Sequence, residues 1–117
     1  MENGSGGYGE RFVRSFLDWL ILSILRKRPA YGHEMLLEIQ KEFHVAISSG
    51  SFYPILHNLE HTGLVNARWD DPDRRSTKVY EITLEGLRAH RDGFDSIDRI
   101  LISHQHPPGK LDDRFGR

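Results

Sequence analysis

Residues 48–65, SSGSFYPILHNLEHTGLV, constrain the fold more than any other part of the chain, because they contain a helix with its own start and stop signals. A hydroxyl of Ser48 or Ser49 can accept a hydrogen bond from a backbone N–H of the first helical turn, which otherwise has no partner. Gly63 is a natural C-terminal stop, since glycine readily adopts the left-handed conformation that ends many helices. The segment therefore predicts a helix over about residues 49–62.

The two sides of this predicted helix differ in chemistry. At about 100° per residue, one side carries the i, i+3, i+4, i+7 pattern of a buried stripe. The residues of that stripe are Phe52, Ile55, Leu56 and Leu59. The opposite side is small and polar, and comprises Gly50, Pro54, His57 and His61, flanked by Tyr53 and Asn58, with Ser51 near the boundary. Such a side fits a DNA major groove, where Asn can pair with adenine edges and Tyr or Ser with phosphates.

The segments around this helix predict further regular elements. Two helices come before it, over residues 11–27 and 33–43, and a break at residues 28–32, RPAYG, separates them. Two strands follow it, over residues 64–69 and 78–82, around the polar loop DDPDRRST. Thr83 can cap a last helix from residue 84. This order predicts a mainly α (α+β) winged helix-turn-helix (helix-helix-helix-strand-strand) with a C-terminal helix, in which the third helix is the usual groove reader.

Two of the predicted helices carry more apolar surface than one small domain is expected to cover. Apolar residues surround most of the circumference of the first helix, and the last helix has a narrow seam with seven-residue steps. We therefore expect a homodimer, although ordinary packing within one domain stays open as an alternative. The expected interface residues are Phe12, Phe16, Trp19, Leu87, Phe94, Ile97 and Leu101. The expected organisation is a flexible arm over 1–10, a winged-helix DNA-binding domain over 11–83, a dimerisation helix over 84–103 and a mobile tail over 104–117.

Composition narrows the classes of function. The chain has 117 residues and no cysteine, which excludes disulfides and thiolate zinc sites and suits a reducing cytoplasm. Its longest apolar run, residues 16–25, is interrupted by Asp18 and is far shorter than the roughly 20 residues that a membrane span requires. The net charge of −1 argues against strong non-specific DNA binding. It still allows DNA binding by a chain whose charges are sorted onto opposite faces.

His57, Glu60 and His61 match the pattern H-x-x-E-H, which one class of zinc peptidases uses. The two imidazoles share a helix face, so two metal ligands are geometrically feasible. A catalytic site also requires a third protein ligand and a substrate cleft, which the sequence does not supply. With seven histidines in the chain, a match of three fixed letters arises readily by chance. We therefore expect no enzyme and no cofactor, and a histidine-based metal-responsive regulator stays as an alternative.

The motifs PAYGHE at 29–34, SSGSFYPILHNLEHTGLV at 48–65 and YEITLEG at 80–86 resemble those of the PadR-like family of winged-helix transcriptional regulators, over about residues 17–90. The resemblance implies a homodimer that binds a roughly palindromic operator, usually as a repressor. It also implies that Glu60 belongs to the helix framework. A small-molecule effector is a further expected partner, although this chain has a single C-terminal helix in place of a larger effector domain. A cavity between subunits could be lined by Phe16, Trp19 and Phe94.

The expected DNA footprint combines the third helix with the wing, which is the hairpin formed by the two strands. In or beside the major groove we expect Ser49, Ser51, Tyr53, His57 and Asn58. The wing offers Arg74 and Arg75, with Arg68 and Lys78 at its strand bases. At the start of the second helix, backbone N–H groups of Tyr31 and Gly32 could meet a phosphate. Two alternatives stay open: wing arginines that are neutralised by nearby aspartates, and a winged helix that contacts protein instead of DNA.

Overall fold

The computed structural model describes residues 7–44, 46–71, 73 and 77–105, and in these residues it contains five helices and three strands. The elements in chain order are α1 (Tyr8–Ser15), α2 (Leu17–Lys27), β1 (Ala30–Tyr31), α3 (Gly32–Phe43), α4 (Ser49–His61), β2 (Val65–Trp69), β3 (Lys78–Ile82) and α5 (Leu84–Gln105). The strands form an antiparallel sheet in the order β1-β3-β2. The predicted winged helix-turn-helix fold is confirmed.

The core of the domain lies where α2, α3 and α4 pack together beside the sheet. Each helix contributes one apolar stripe, as helical periodicity requires. The largest side chains that are fully buried are Leu17, Ile21, Met35, Ile39, Ile47, Phe52, Leu56 and Val65. The stripe predicted for the third helix is thus on the inner side of α4, where Phe52, Leu56 and Leu59 are buried and Ile55 is half-buried.

The first predicted helix is two helices, because the backbone leaves helical geometry at Phe16, with φ −107° and ψ 11°. The Phe16 N–H donates to the carbonyl of Val13, which closes a short final turn of α1. The break lets α2 run into the core while α1 keeps Tyr8 and Phe12 exposed. The helix also begins at Tyr8, inside the segment 1–10 expected as an arm, and α5 includes His104 of the expected tail.

The break between α2 and α3 contains a strand that the sequence analysis did not predict. Ala30 and Tyr31 pair antiparallel with Tyr80 and Val79 of β3, which makes β1 the outer strand of the sheet. Two residues are too few to show the alternating pattern of a strand. The pairing places the start of α3 against the base of the wing.

The helix α5 packs against α2 through small residues and one aromatic stack. Trp19 of α2 stacks on His90 with 4.7 Å between ring centroids, and its Nε1 donates to the His90 carbonyl at 3.0 Å. Gly93 makes room for the indole, since a Cβ there would lie 2.5 Å from Trp19 Cδ1. Trp19, expected at the dimer interface, is therefore committed within the subunit, because its ring and its N–H both bind α5.

Candidate DNA-binding surface

The start of α4 is fixed by hydrogen bonds at its N-cap Ser48 and at the preceding residue, Ile47. Ser48 is the N-cap, and its hydroxyl accepts a hydrogen bond from the Ser51 N–H at 3.2 Å. Just before it, Ile47 is fully buried and its carbonyl accepts a hydrogen bond of 2.6 Å from Gln40 Nε2 of α3. The first turn of α4 is thus fixed relative to α3, as a helix that reads DNA requires.

The outer face of α4 is exposed along the whole helix. Its exposed residues are Ser49, Gly50, Ser51, Pro54, His57, Asn58 and His61. None of these side chains is acidic, so the face does not repel phosphates. Hydroxyl, imidazole and amide groups on one helix side can donate to and accept from base edges. The structure therefore brings the predicted groove residues Ser49, Ser51, His57 and Asn58 together on one surface.

Tyr53 lies at the edge of this outer face and is half-buried. Its ring packs edge-on against Phe52, with centroids 5.2 Å apart, and lies over the backbone of Gly32 at the start of α3. A Cβ at residue 32 would lie 2.9 Å from Tyr53 Cε1, so only glycine gives the tyrosine this position without a shift. Tyr53 therefore joins α4 to α3, and only part of its ring faces the solvent.

The structure corrects the expectation that the amides of Tyr31 and Gly32 meet a phosphate. The Tyr31 N–H donates to Glu34 Oε1 at 2.8 Å, which is the usual way for a glutamate in the first turn to cap a helix. Gly32 is buried beneath Tyr53. The Tyr31 amide is thus already used by the helix cap, and Gly32 is packed against the Tyr53 ring.

The Tyr31 side chain has a different role from the one predicted for its backbone. Its hydroxyl donates to Asp70 Oδ2 at 2.8 Å, across the gap between α3 and the wing. This hydrogen bond to the carboxylate is the main reason why the pKa of Tyr31 is raised above its ordinary value. The sequence pattern carries no signal for this partner of Tyr31, which lies 39 positions away.

The cations at the wing base have partners within the protein. Arg68 Nε lies 3.4 Å from Glu81 Oε2, and Lys78 Nζ lies 3.9 Å from Glu60 Oε2. Lys78 Nζ also lies 5.4 Å from the centroid of the Trp69 ring. Such partly exposed ion pairs contribute little to stability, so a phosphate can replace the carboxylate at small cost. Arg74 and Arg75 lie outside the described residues.

Other candidate sites receive less support from the geometry. Among the residues that the structure describes, no group of three or more His, Asp or Glu side chains could hold a metal ion. A cavity of about 450 Å³ beside α5 is lined by Arg26, Leu87, His90, Arg91 and Phe94. Trp19 lines a separate cavity of about 210 Å³ between α2 and α3, and Phe16 lines neither of the two. The expected cavity between subunits, lined by Phe16, Trp19 and Phe94, stays a prediction.

The expected interface residues divide into exposed and committed groups. Phe12, Leu87, Phe94 and Leu101 are exposed, whereas Phe16 and Ile97 are half-buried and Trp19 is held by α5. Further exposed apolar side chains on α1 and α5 that were not predicted at an interface are Tyr8, Leu84, Ile100 and Ile102. Within the described part of the chain, no helix is both long enough and apolar enough to cross a membrane.

The helix order and the β2–β3 wing define a winged helix-turn-helix protein, a fold class in which many members bind DNA. The model of the transcriptional regulator PadR-like family matches residues 21–92, which is more than half of the chain. The chain therefore belongs to the PadR-like family and is a DNA-binding transcriptional regulator, not an enzyme.

Solved structures support the same assignment. A PadR family transcriptional regulator from Eggerthella lenta is 33% identical and superposes with a TM-score of 0.66 over 86% of this chain and 85% of its own. For a PadR-like regulator from Bacillus cereus the identity is 23% and the TM-score 0.72, over 81% and 93% of the two chains. A transcriptional regulator from Clostridium thermocellum has 20% identity and a TM-score of 0.67, over 92% and 96%. The last two likenesses show the fold alone. Among curated proteins, no significant match was found.

Proposed function

We propose that the protein is a homodimeric repressor that binds a roughly palindromic operator through the outer face of α4. The observation that carries this proposal is the arrangement of α4, in which one side is buried in the core and the other is exposed, polar and free of carboxylates. A helix that is anchored on one side and exposed on the other can enter a major groove without unfolding any part of the domain.

Base recognition is assigned to the central and N-terminal part of the outer face of α4. Asn58 is the residue best suited to read a base, since its amide can donate to and accept from one adenine at the same time. The Asn58 carbonyl accepts a hydrogen bond from Thr62 Oγ1 at 2.9 Å, which supports the backbone below the side chain. Ser49, Ser51 and His57 complete the proposed groove contacts, and Tyr53 borders them.

Phosphate binding is assigned to the wing. Arg68 and Lys78 are the proposed contacts at its base, where each can exchange a glutamate for a phosphate. Arg74 and Arg75 are proposed at its tip from the sequence alone. Contacts of this kind position the protein on DNA and make its affinity depend on salt, but they carry no sequence information directly.

Dimerisation is assigned to α5 together with α1. Leu87, Phe94 and Leu101 occupy equivalent helical positions seven residues apart and are all exposed in the single subunit. Phe12 of α1 is a further exposed anchor. A second copy would cover this apolar surface, which a monomer rarely leaves in water. In such a dimer the two α4 helices are expected about 34 Å apart, one turn of DNA.

The proposal also includes regulation by a small molecule or by stress, in the cytoplasm. The cavity of about 450 Å³ beside α5 lies next to Leu87 and Phe94 of the proposed interface. A ligand in this cavity would touch Leu87 and Phe94 of the proposed α5 interface and so could change the distance between the two α4 helices.

Selection of binding sites from a random DNA library tests the proposal directly. We expect a palindromic motif for the wild-type protein, and a mobility shift with the selected duplex that weakens as the salt concentration rises. In Asn58→Ala, base preference should relax at one position per half-site, with a loss of about 1–3 kcal/mol of discrimination. Asn66→Ala, which removes an exposed amide on β2, is the matched control. An unaltered motif for Asn58→Ala would contradict the assigned role.

A further inference from the structure

The hydrogen bond between Tyr31 and Asp70 connects the start of α3 with the end of strand β2 in the wing. Tyr31 precedes α3, and Asp70 is the first residue after β2. Their side chains are joined at 2.8 Å, hydroxyl to carboxylate, although both residues are at the surface of the domain. An exposed contact of this length holds only when the backbones on both sides are themselves fixed.

Both backbones are fixed. The Tyr31 N–H is bound by Glu34 at 2.8 Å, and Tyr31 pairs with Val79 of the wing strand β3. On the other side, the Asp70 N–H donates to the Thr77 carbonyl at 2.7 Å and closes the end of the hairpin. The tyrosine hydroxyl therefore meets the wing at the point where its two strands end and its loop begins.

The same turn also contacts α4. Gly32 follows Tyr31, and the ring of Tyr53 rests on it at the edge of the outer face of α4. A short segment, Tyr31–Gly32, thus touches the wing on one side and the reading helix on the other. The position of the ends of β2 and β3 relative to α4 therefore depends on how firmly this segment is held on each side.

We propose that the Tyr31–Asp70 contact is a positioning device that sets the end of wing strand β2 relative to α4 and so contributes to DNA specificity. This inference rests on the proposed function, since it assumes that α4 and the wing bind the same duplex. Arg68, a proposed phosphate contact, lies two residues before Asp70 on the same strand. The contact also keeps the Asp70 carboxylate hydrogen-bonded to the Tyr31 hydroxyl, close to the proposed phosphate contact Arg68.

Three substitutions separate positioning from charge. Tyr31→Phe removes the hydroxyl and leaves the carboxylate, and Asp70→Ala removes the acceptor and the charge together. Asp70→Asn removes the charge but keeps an oxygen that can accept the hydrogen bond. Asp95→Asn, an exposed position on α5, is the control for the loss of one negative charge.

The test compares affinity for the selected operator with affinity for a scrambled duplex, at several salt concentrations. Positioning predicts that Tyr31→Phe and Asp70→Ala lose about three- to tenfold in specific affinity and little in non-specific affinity. Asp70→Asn and Asp95→Asn should keep the wild-type ratio of the two. Equal ratios for Tyr31→Phe and wild type would overturn the inference, and so would tighter specific binding by Asp70→Ala, which would mean that charge alone matters.

Hydrogen exchange on the protein without DNA gives an independent readout. Tyr31→Phe and Asp70→Ala should speed exchange of the Asp70 amide, whose partner is the Thr77 carbonyl, while amides in the core of α4 keep their protection. Unchanged exchange at Asp70 in both variants would overturn the inference even if DNA binding is intact. A wild-type protein that selects no sequence would instead overturn the proposed function, and the specificity role with it.

Discussion

Helices α2 and α5 are both rich in apolar residues, but the subunit covers them very differently. In α2, an 11-residue helix, Leu17, Ile21, Leu22, Ile24 and Leu25 are buried. In α5, a 22-residue helix, the buried positions are Gly86 and His90. Most of its large apolar side chains are exposed, and Phe94 retains 54% of its accessible surface.

The difference shows how one helix can serve two contacts. Gly86, His90 and Gly93 line one side of α5, where small or flat groups allow close approach to the rest of the subunit. Leu87, Phe94 and Leu101 lie on the neighbouring side, about 20–120° around the helix. Large residues on a face that the subunit does not cover point to a second partner. The helix α2 is thus buried in the core of the domain. The helix α5 packs against the subunit on one side, and its other side is exposed.

The largest expected effect comes from the buried side of this comparison. Ile21 of α2 is 0% exposed, so Ile21→Ala leaves a cavity in the core. The free energy of unfolding should fall by about 2–5 kcal/mol, measured by urea denaturation at fixed protein concentration. The matched control is Leu37→Ala on α3, where the side chain is about half exposed and a much smaller loss is expected. Similar losses for both would contradict the assignment of α2 to the core.

The second prediction concerns the exposed side. Leu101→Glu places a charge in the proposed α5 seam and should raise the dissociation constant of the dimer roughly 100-fold. Sedimentation at several protein concentrations measures this constant, while far-ultraviolet circular dichroism reports whether the helices remain. Ser103→Glu adds the same charge on the opposite side of α5 and should leave association unchanged. Association that survives Leu101→Glu would show that another surface forms the dimer.

The third prediction tests the contact between the two helices. Alanine favours a helix over glycine by about 1 kcal/mol, yet Gly93→Ala should destabilise the protein by a net of about 1–2 kcal/mol. The reason is that the new methyl group would meet the indole of Trp19. Gly9→Ala in α1, where no atom lies within 4 Å of the added carbon, should be neutral or stabilising. A Trp69→Phe background isolates the fluorescence of Trp19, and an unshifted emission in Gly93→Ala would contradict the close packing.

Local signals in the sequence predicted much of this architecture. The bounds of α4 agree with the prediction to within one residue, because Ser48, the apolar stripe and Gly63 all act within a few positions. The strand Lys78–Ile82 is confirmed for the same reason, and so is the order of the six predicted elements, apart from the division of the first helix and the added strand β1. The exposed polar side of α4 also followed from periodicity, since Phe52 and Leu56 must enter the core.

Features that depend on distant partners were not predicted. The strand β1 exists only because β3 pairs with it 50 residues later, and Trp19 is held by His90 across 71 positions. The Tyr31 hydroxyl meets Asp70 across 39 positions, and no periodicity encodes such a pair. The break at Phe16 was missed because apolar residues continue through it. Sequence patterns thus located α4 and its exposed side, whereas the contacts that orient α4 required the structure.

The smallest expected effect is a pH dependence that originates at the α2–α5 contact. His90 is buried between Trp19 and Ser23, whose Oγ lies 2.9 Å from Nε2, and burial, followed by the nearby Arg26, lowers the pKa of this imidazole. Below the ordinary histidine pKa of about 6.5, the unfolded chain takes up a proton that the folded protein resists. The free energy of unfolding should therefore fall as the pH drops below about 6.5 towards the lowered pKa of His90 in the folded protein. Below that lowered pKa, the contribution of His90 should no longer change. His90→Gln should remove that part of the pH dependence, measured by urea denaturation from about pH 8 to about pH 5. An identical pH slope in His90→Gln and wild type would show that protonation of His90 is not linked to the contact between α2 and α5.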